Sequence, residues 1–458
     1  MSPRWVCLPE SKRGSTQLDG RLRIALNGQL SPDSGYGGIA QVLTGLVAAL
    51  GKLDDGSEEY LIVGAQQGSE WLIPHLGPNQ RIVCPAPTVE QTKPKPSWLK
   101  YVRRLFGPLR PLVRAVGREA LPSPPPRRWP EVPVSDGFYE SLGCEVVHFP
   151  YQHFVLCALP TIYNPHDLQH LHFPQFFTPS VIAWRETIYP AGCHLAHTVV
   201  TGSHWVKDDV VRHYGVDSDK VQVIPWAAPT QAYPAPSPSM LADVRTKYGL
   251  QQPFAFYPAM TWAHKNHLRL LEALASLRDR EGLVVRLVCT GFRHQSHWPR
   301  IEEHLRTTDL DDQVEFLGMV PPEDLRAIYR LSRFVVVPTL FEAASGPVFE
   351  AWQEGVPVAC SAVTSLPEQA GDGALLFDPL SVEAIADAVR RMATDEDLRA
   401  ELARKGARRL RDFSWERTAK AYRAVYRRAA RRPLTDEDRW LLSWDWMRDA
   451  RRDEEGAQ

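Results

Sequence analysis

The chain has 458 residues, 44% of them hydrophobic and 23% charged, with 53 Lys and Arg against 54 Asp and Glu and a formal net charge of -1. This is the composition of a soluble globular protein long enough for two or three domains, and the balanced charge gives no global attraction for nucleic acid. Seven cysteines, odd in number and never in a Cys-x-x-Cys pair, argue against a disulfide scaffold or a zinc ribbon and fit a reducing, cytoplasmic compartment, while no stretch approaches the roughly 18 apolar residues of a spanning helix and no apolar signal core opens the chain.

From the start, short apolar runs alternate with amphipathic helical stretches, the pattern of parallel sheets with crossover helices. Leu22–Asn27, Tyr60–Val63, Val146–Phe149, Thr161–Asn164, Val199–Thr201 and Val221–Pro225 read as strands of a first domain over residues 1–230. Inside it, 93–128 holds ten Lys and Arg against Glu119 alone, mixed with Trp98, Leu99, Val102, Leu105 and Phe106. Such a segment suits a helix lying on an anionic membrane surface, although Pro108 and Pro111 interrupt any long helix. Residues 227–240 carry four prolines and read as a linker. The pattern restarts over 241–432, with strands at Phe254–Pro258, Val284–Thr290, Val314–Leu317, Phe334–Pro338, Val356–Ser361 and Ala374–Phe377. A tail with Trp440, Trp444 and Trp446 occupies 433–458. Two Rossmann-like, doubly wound α/β domains facing a central cleft follow, with ligands beyond the carboxyl ends of the strands.

The residues able to do chemistry also come in chain order. Gly35 to Gly38 follow the first strand and open a helix, so Gly37 and Gly38 offer amides to a phosphate or sugar. His166 and Asp167 end the Thr161 strand facing the cleft. A histidine there can donate to a sugar hydroxyl or stabilise developing charge, with Asp167 orienting its ring. His170 and His172 lie close in sequence, but no carboxylate pattern makes the three histidines a metal site. Lys265, after Thr261 and His264, stands beside a helix N-terminus, where its ammonium neutralises a diphosphate and helps it leave.

The strongest signal is FEAASGPVFEAWQEG, from Phe341 to Gly355. A buried strand runs into a loop carrying Glu342, and a helix begins over Ser345, Gly346, Pro347 and Val348 with Glu350 one turn inside. Small residues admit a ligand to the backbone, Pro347 suits the first turn, and the free amides make an anion site. The acidic triplets at 395–397 and 436–438 read as helix starts rather than metal ligands, so no metal or other cofactor is expected.

The Glu-x7-Glu spacing of Glu342 and Glu350, set in SGPVFEAWQEGVPVACS, resembles the group 1 glycosyl transferases, a retaining family with the GT-B fold. The resemblance runs from about Arg21 to Ala430. It implies that Glu342 contacts the sugar of a nucleotide-sugar donor and that Glu350 binds the ribose. It implies that Lys265 holds the diphosphate and that His166 lies beside the reacting sugar. The first domain would take a saccharide or lipid-linked acceptor, and the second the donor. One departure is Ala259, where many members carry an Arg. Either Arg293 supplies that charge, or Lys265 acts with Thr261 and His264. The AMTWAHKNH loop resembles members of polysaccharide and lipopolysaccharide assembly, which implies a hexose donor such as GDP-mannose. A UDP-sugar glucosyltransferase, or an epimerase or hydrolase on the same fold, is the alternative. A place at the cytoplasmic face of the membrane follows from the same resemblance.

Overall fold

The computed structural model describes residues 20–30, 37–65, 68–85 and 132–446. The basic segment 93–128 and its expected membrane contact, Gly35 and Tyr36, and the tail beyond 446 lie outside them.

The apolar runs become strands because nearly every side chain in them is buried on both faces of a sheet, as parallel strands covered by helices require. β1 (Leu22–Asn27), β2 (Glu58–Val63), β3 (Gln80–Val83), β4 (Val146–Phe149), β5 (Thr161–Tyr163), β6 (Thr198–Thr201) and β7 (Val221–Val223) form one sheet in the order β3-β2-β1-β4-β5-β6-β7. β8 (Ala255–Pro258), β9 (Leu287–Thr290), β10 (Val314–Phe316), β11 (Phe334–Val337), β12 (Val358–Ser361) and β13 (Ala374–Phe377) form a second, ordered β10-β9-β8-β11-β12-β13. All neighbouring strands run parallel. The strand order reverses between β1 and β4 in the first sheet and between β8 and β11 in the second. Those two points open crevices at the strands' carboxyl ends.

The helices that matter below are α1 (Gly37–Gly51), α2 (Gln169–His172), α3 (Pro179–Leu195), α4 (His204–Tyr214), α5 (Pro322–Leu331), α6 (Gly346–Gln353), α7 (Leu366–Ala370), α8 (Trp415–Ala429) and α9 (Asp436–Ser443). The acidic triplets open helices: Asp395 accepts from the Leu398 amide, and Thr435 and Asp438 form a reciprocal capping box at the start of α9. Cys144, Cys157, Cys193, Cys289 and Cys360 are free thiols, and none of the described helices is long and apolar enough to cross a membrane.

Beyond small shifts at strand ends, such as Leu287 for Val284 and Val358 for Val356, three features differ from the sequence reading. β3 (QRIV) was not among the expected strands, because only two of its four residues are buried and its first two are polar. The helix Pro238–Lys247, capped by Ser237, begins inside the expected linker. The third difference is the largest. α8, expected in the second domain, crosses back and packs on α1 and the first sheet. The Tyr426 hydroxyl lies 2.7 Å from His148 Nδ1, the Asn164 amide donates to the Tyr422 hydroxyl at 2.6 Å, and Arg427 pairs with Glu58 at 2.7 Å. Trp415 donates to the Ala228 carbonyl at 2.9 Å and lies against Gly45 of α1 so closely that a Cβ there would fall inside its ring. The physical reason is an apolar face: ten of the fifteen residues of α8 are buried, and the first sheet provides the surface that covers them.

Candidate active site

Lys265 and Glu342 follow β8 and β11, the two strands that flank the second sheet's reversal point, so the topology alone brings them together. Lys265 Nζ lies 2.5 Å from Glu342 Oε1. Neither side chain is sealed, with 20% and 10% of its surface accessible, so a ligand can reach the pair.

Both backbones are held from several sides. Lys265 ends a single turn, Ala263–Lys265, followed by Asn266 with a left-handed φ of 61°. The Asn266 amide donates to the carbonyls of Pro338 and Pro379 at 2.9 Å each, and the Tyr257 hydroxyl donates to the Lys265 carbonyl at 2.7 Å. The Glu342 carbonyl accepts from Thr364 and Ser365 hydroxyls at 2.7 and 2.9 Å. An ion pair placed this way needs little reorganisation when charge develops beside it.

α6 begins four residues beyond Glu342. The Gln369 side chain clamps the Ser345 peptide, accepting from its N–H at 2.7 Å and donating to its carbonyl at 2.8 Å. Among the described residues the buried Ser345 hydroxyl has no hydrogen-bond partner, at the start of a helix that no side chain caps. A buried, unmet hydroxyl beside a helix N-terminus suits an anionic ligand with several oxygens. Gly346, Pro347 and Val348 form the first turn above it.

Glu350 is buried one turn further in, where the Tyr329 hydroxyl of α5 donates to its Oε2 at 2.6 Å. Burial, with no cation in direct contact to offset it, pushes its carboxyl up to about 7. A carboxyl raised in the folded state adds stability at low pH that is lost as pH climbs from its ordinary value of 4.5 through about 7. Glu350→Gln is therefore expected to match the wild type near pH 5 and to exceed it at pH 8 by about 1 kcal/mol or more. Melting temperatures across that range check this, and a constant difference would show that the carboxyl titrates normally. The neighbouring Glu354 is bracketed by Arg326 and Arg330 at 2.6 and 2.7 Å, which ties α5 to α6 and so fixes Tyr329.

In the first domain, His166 follows β5, and Pro150, which follows β4, turns its carbonyl onto His166 Nε2 at 2.7 Å. A carbonyl only accepts, so Nε2 carries the proton and Nδ1 the lone pair. Burial holds the ring below its usual pKa and hence neutral. With that proton directed at Pro150, the neutral ring is left with Nδ1 as an acceptor rather than a second donor. The expected role of Asp167 is corrected. Its carboxylate pairs with Arg185 of α3 at 3.3 Å and caps the Gln169 amide at 3.0 Å, while Pro150 orients the imidazole. His166 itself has φ 63°, with the Asp167 amide bonded back to the Pro165 carbonyl at 2.9 Å, a strained turn of the kind found at working sites.

Other expectations resolve less simply. The Thr261 hydroxyl accepts from the His294 amide at 2.7 Å, so it braces that loop. His264 presents its carbonyl to the Leu340 amide at 2.7 Å, and burial keeps its ring well below the usual pKa. Arg293 is not brought to Lys265, because its guanidinium donates to the Phe316 carbonyl at 2.8 Å and stacks on Trp298. Gly37 and Gly38 open α1 beyond β1, and a Cβ at Gly38 would meet no atom of the described residues within 4 Å. His166, His170 and His172 do not converge as a ligand set. Pro150, Tyr329, Gln369 and the Thr364–Ser365 pair were not singled out from sequence, since each acts through hydrogen bonds to residues far off in sequence that no local spacing announces.

The two halves touch beside the site. Ser203 donates to the Ala343 carbonyl at 3.1 Å. Glu368 of α7 accepts from the first amides of α4, at His204 and Trp205, at 2.6 and 2.9 Å.

Comparison with known proteins agrees with this geometry. The model of the glycosyl transferases group 1 matches residues 244–409, and that of glycosyltransferase family 4 matches residues 36–232. The O-antigen chain mannosyltransferase B of Escherichia coli is 29% identical over 268 residues, which are 57% of this chain and 69% of that protein. A D-inositol 3-phosphate glycosyltransferase of Corynebacterium glutamicum is 28% identical over 226 residues, 48% of this chain, and the match spans only 54% of that relative. Among solved structures, Anabaena HepE in complex with UDP and glucose superposes with a TM-score of 0.61 at 14% identity, covering 88% of this chain and 99% of that one. At that identity the likeness concerns the fold.

Proposed function

The chain belongs to the group 1 glycosyl transferases with the GT-B fold, and from that premise we propose that it transfers mannose from GDP-mannose, with retention, onto a saccharide or lipid-linked acceptor of polysaccharide assembly. One observation carries the reading. The Lys265–Glu342 pair and the unmet Ser345 hydroxyl at the start of α6 stand together at the second sheet's reversal point.

In this reading the donor diphosphate lies on the first amides of α6, with Lys265 supplying its positive charge and Glu342 accepting from hydroxyls of the attached sugar. Glu350 holds the ribose. The charge and dipole come from the protein, so no metal is needed at the donor phosphates. The acceptor hydroxyl enters from the first domain, near Gly38 and His166. Its oxygen bonds to the anomeric carbon on the face from which the phosphate oxygen departs, and its proton passes to that phosphate oxygen. His166 Nδ1 accepts a hydrogen bond from a sugar hydroxyl and orients the ring. Mannose is chosen over glucose because of the similarity to the mannosyltransferase B of Escherichia coli.

A thermal-shift panel of GDP, UDP, GDP-mannose and UDP-glucose tests the donor site. GDP and GDP-mannose at about 100 times their Kd should each stabilise the protein by about 2.7 kcal/mol. A shift with the uridine pair alone reassigns the donor to UDP-glucose. No shift with any of the four overturns the reading.

A further inference from the structure

We propose that His172, Asp209 and His213 form a binding site for one divalent transition-metal ion of the zinc class, built from none of the residues that hold the donor. Asp209 and His213 stand four residues apart on α4, hence on one face of the helix. His172, at the end of α2, meets that face. Its Nε2 lies 2.9 Å from both Asp209 oxygens, and His213 Nε2 lies 3.3 Å from Oδ1. One ligand atom from each residue falls within 4.8 Å of the others, and no second such group occurs among the described residues.

The 3.3 Å between His213 and Asp209 is the edge of a tetrahedral site, and the 2.9 Å between His172 and Asp209 needs only a small outward shift to match it. With metal–ligand bonds of roughly 2.0–2.1 Å, the edges of the tetrahedron measure roughly 3.3 Å. Two imidazoles and a carboxylate suit zinc better than magnesium or calcium, which seek oxygen alone. Burial is graded in the same sense: the Asp209 side chain is 3% exposed, against 30% for His172 and 36% for His213. The carboxylate forms the floor, and the open side leaves a fourth position for water.

Packing, not a metal, already sets the ligands. The His172 ring packs beside Trp205 and Phe341, each 5.5 Å away, and α4 is fixed at its start by Ser203 and Glu368. The rival arrangement is a hydrogen-bonded triad in which Asp209 accepts an N–H from both rings. It uses the same nitrogens, but each carries a proton, so metal binding separates the two. An ion would fasten α2, and with it the segment that carries His166, to α4; only this consequence rests on the glycosyl transfer reading.

The test uses the full chain without a histidine tag, stripped with a chelator, desalted and titrated with Zn2+ by calorimetry, with metal analysis of the product. The wild type should bind one equivalent of Zn2+, melt at a higher temperature with it, give the visible spectrum of tetrahedral Co2+ when cobalt is supplied, and ignore millimolar Mg2+. His213→Ala removes a half-exposed ring and should keep the fold by circular dichroism. Its Zn2+ affinity should fall by more than the ~10–100-fold that loss of an outer-shell partner brings, and Asp209→Asn should behave alike. Absence of a bound equivalent in the wild type, or unchanged affinity in His213→Ala, overturns the site. No donor is present in these measurements, so their failure leaves the transfer reading standing, and failure of that reading leaves theirs.

Discussion

Lys265→Ala is expected to lower kcat by about 10²–10³-fold while the protein keeps its fold, because it removes the ammonium that meets the departing diphosphate. The loss should fall on kcat more than on KM, since the charge it stabilises grows as the glycosidic bond breaks. Glu342→Gln should cost a comparable factor through the sugar hydroxyls it no longer receives as an anion. The two side chains form one ion pair 2.5 Å apart, so the double variant should be far less impaired than the product of the single losses. Steady-state kinetics on the three variants, with circular dichroism to confirm the fold, decide the matter. Wild-type turnover in Lys265→Ala would remove the diphosphate from this site.

The second large effect lies away from the chemistry. Gly45→Val is expected to destabilise the protein by about 3 kcal/mol or more, through the clash of a new side chain with the Trp415 ring. α8 cannot move away cheaply, as Arg423 ties it to Asp55 in the turn after α1 and Arg427 ties it to Glu58 of β2. The compensating pair Gly45→Ala with Trp415→Leu should recover much of the loss, because the smaller side chain vacates the contested volume. Chemical denaturation of the three proteins checks this, and an unaltered midpoint for Gly45→Val would mean that α8 does not rest on α1.

Most of this molecule was legible because its signals are local. Runs such as RFVVVPT announce buried parallel strands by composition, and FEAASGPVFEAWQEG joins a strand end, small residues and a first-turn proline within fifteen residues. Glu342, Glu350 and Lys265 were found for that reason, and strand topology then did the work of bringing Lys265 to Glu342. What stayed hidden depends on partners far apart in sequence. Nothing in the TIYNPHDLQ segment says that the Pro150 carbonyl will accept the Nε2–H of His166, and so leave Nδ1 as the ring's acceptor. The amphipathic pattern of α8 shows that it must bury one face, but not which sheet receives it. The Asp209–His213 spacing was readable as a one-turn pair; its third member comes from α2 and needs the fold.

The return of α8 to the first sheet also orders events in time. A ribosome releases His148 and Asn164 more than two hundred residues before Tyr422 and Tyr426, yet these buried groups find their hydroxyl partners only on that late helix. Until then the nascent first half carries unmet polar groups and bare apolar surface, so the half made first is the one completed last. A chain cut short before residue 415 would damage the end of the protein furthest from the cut.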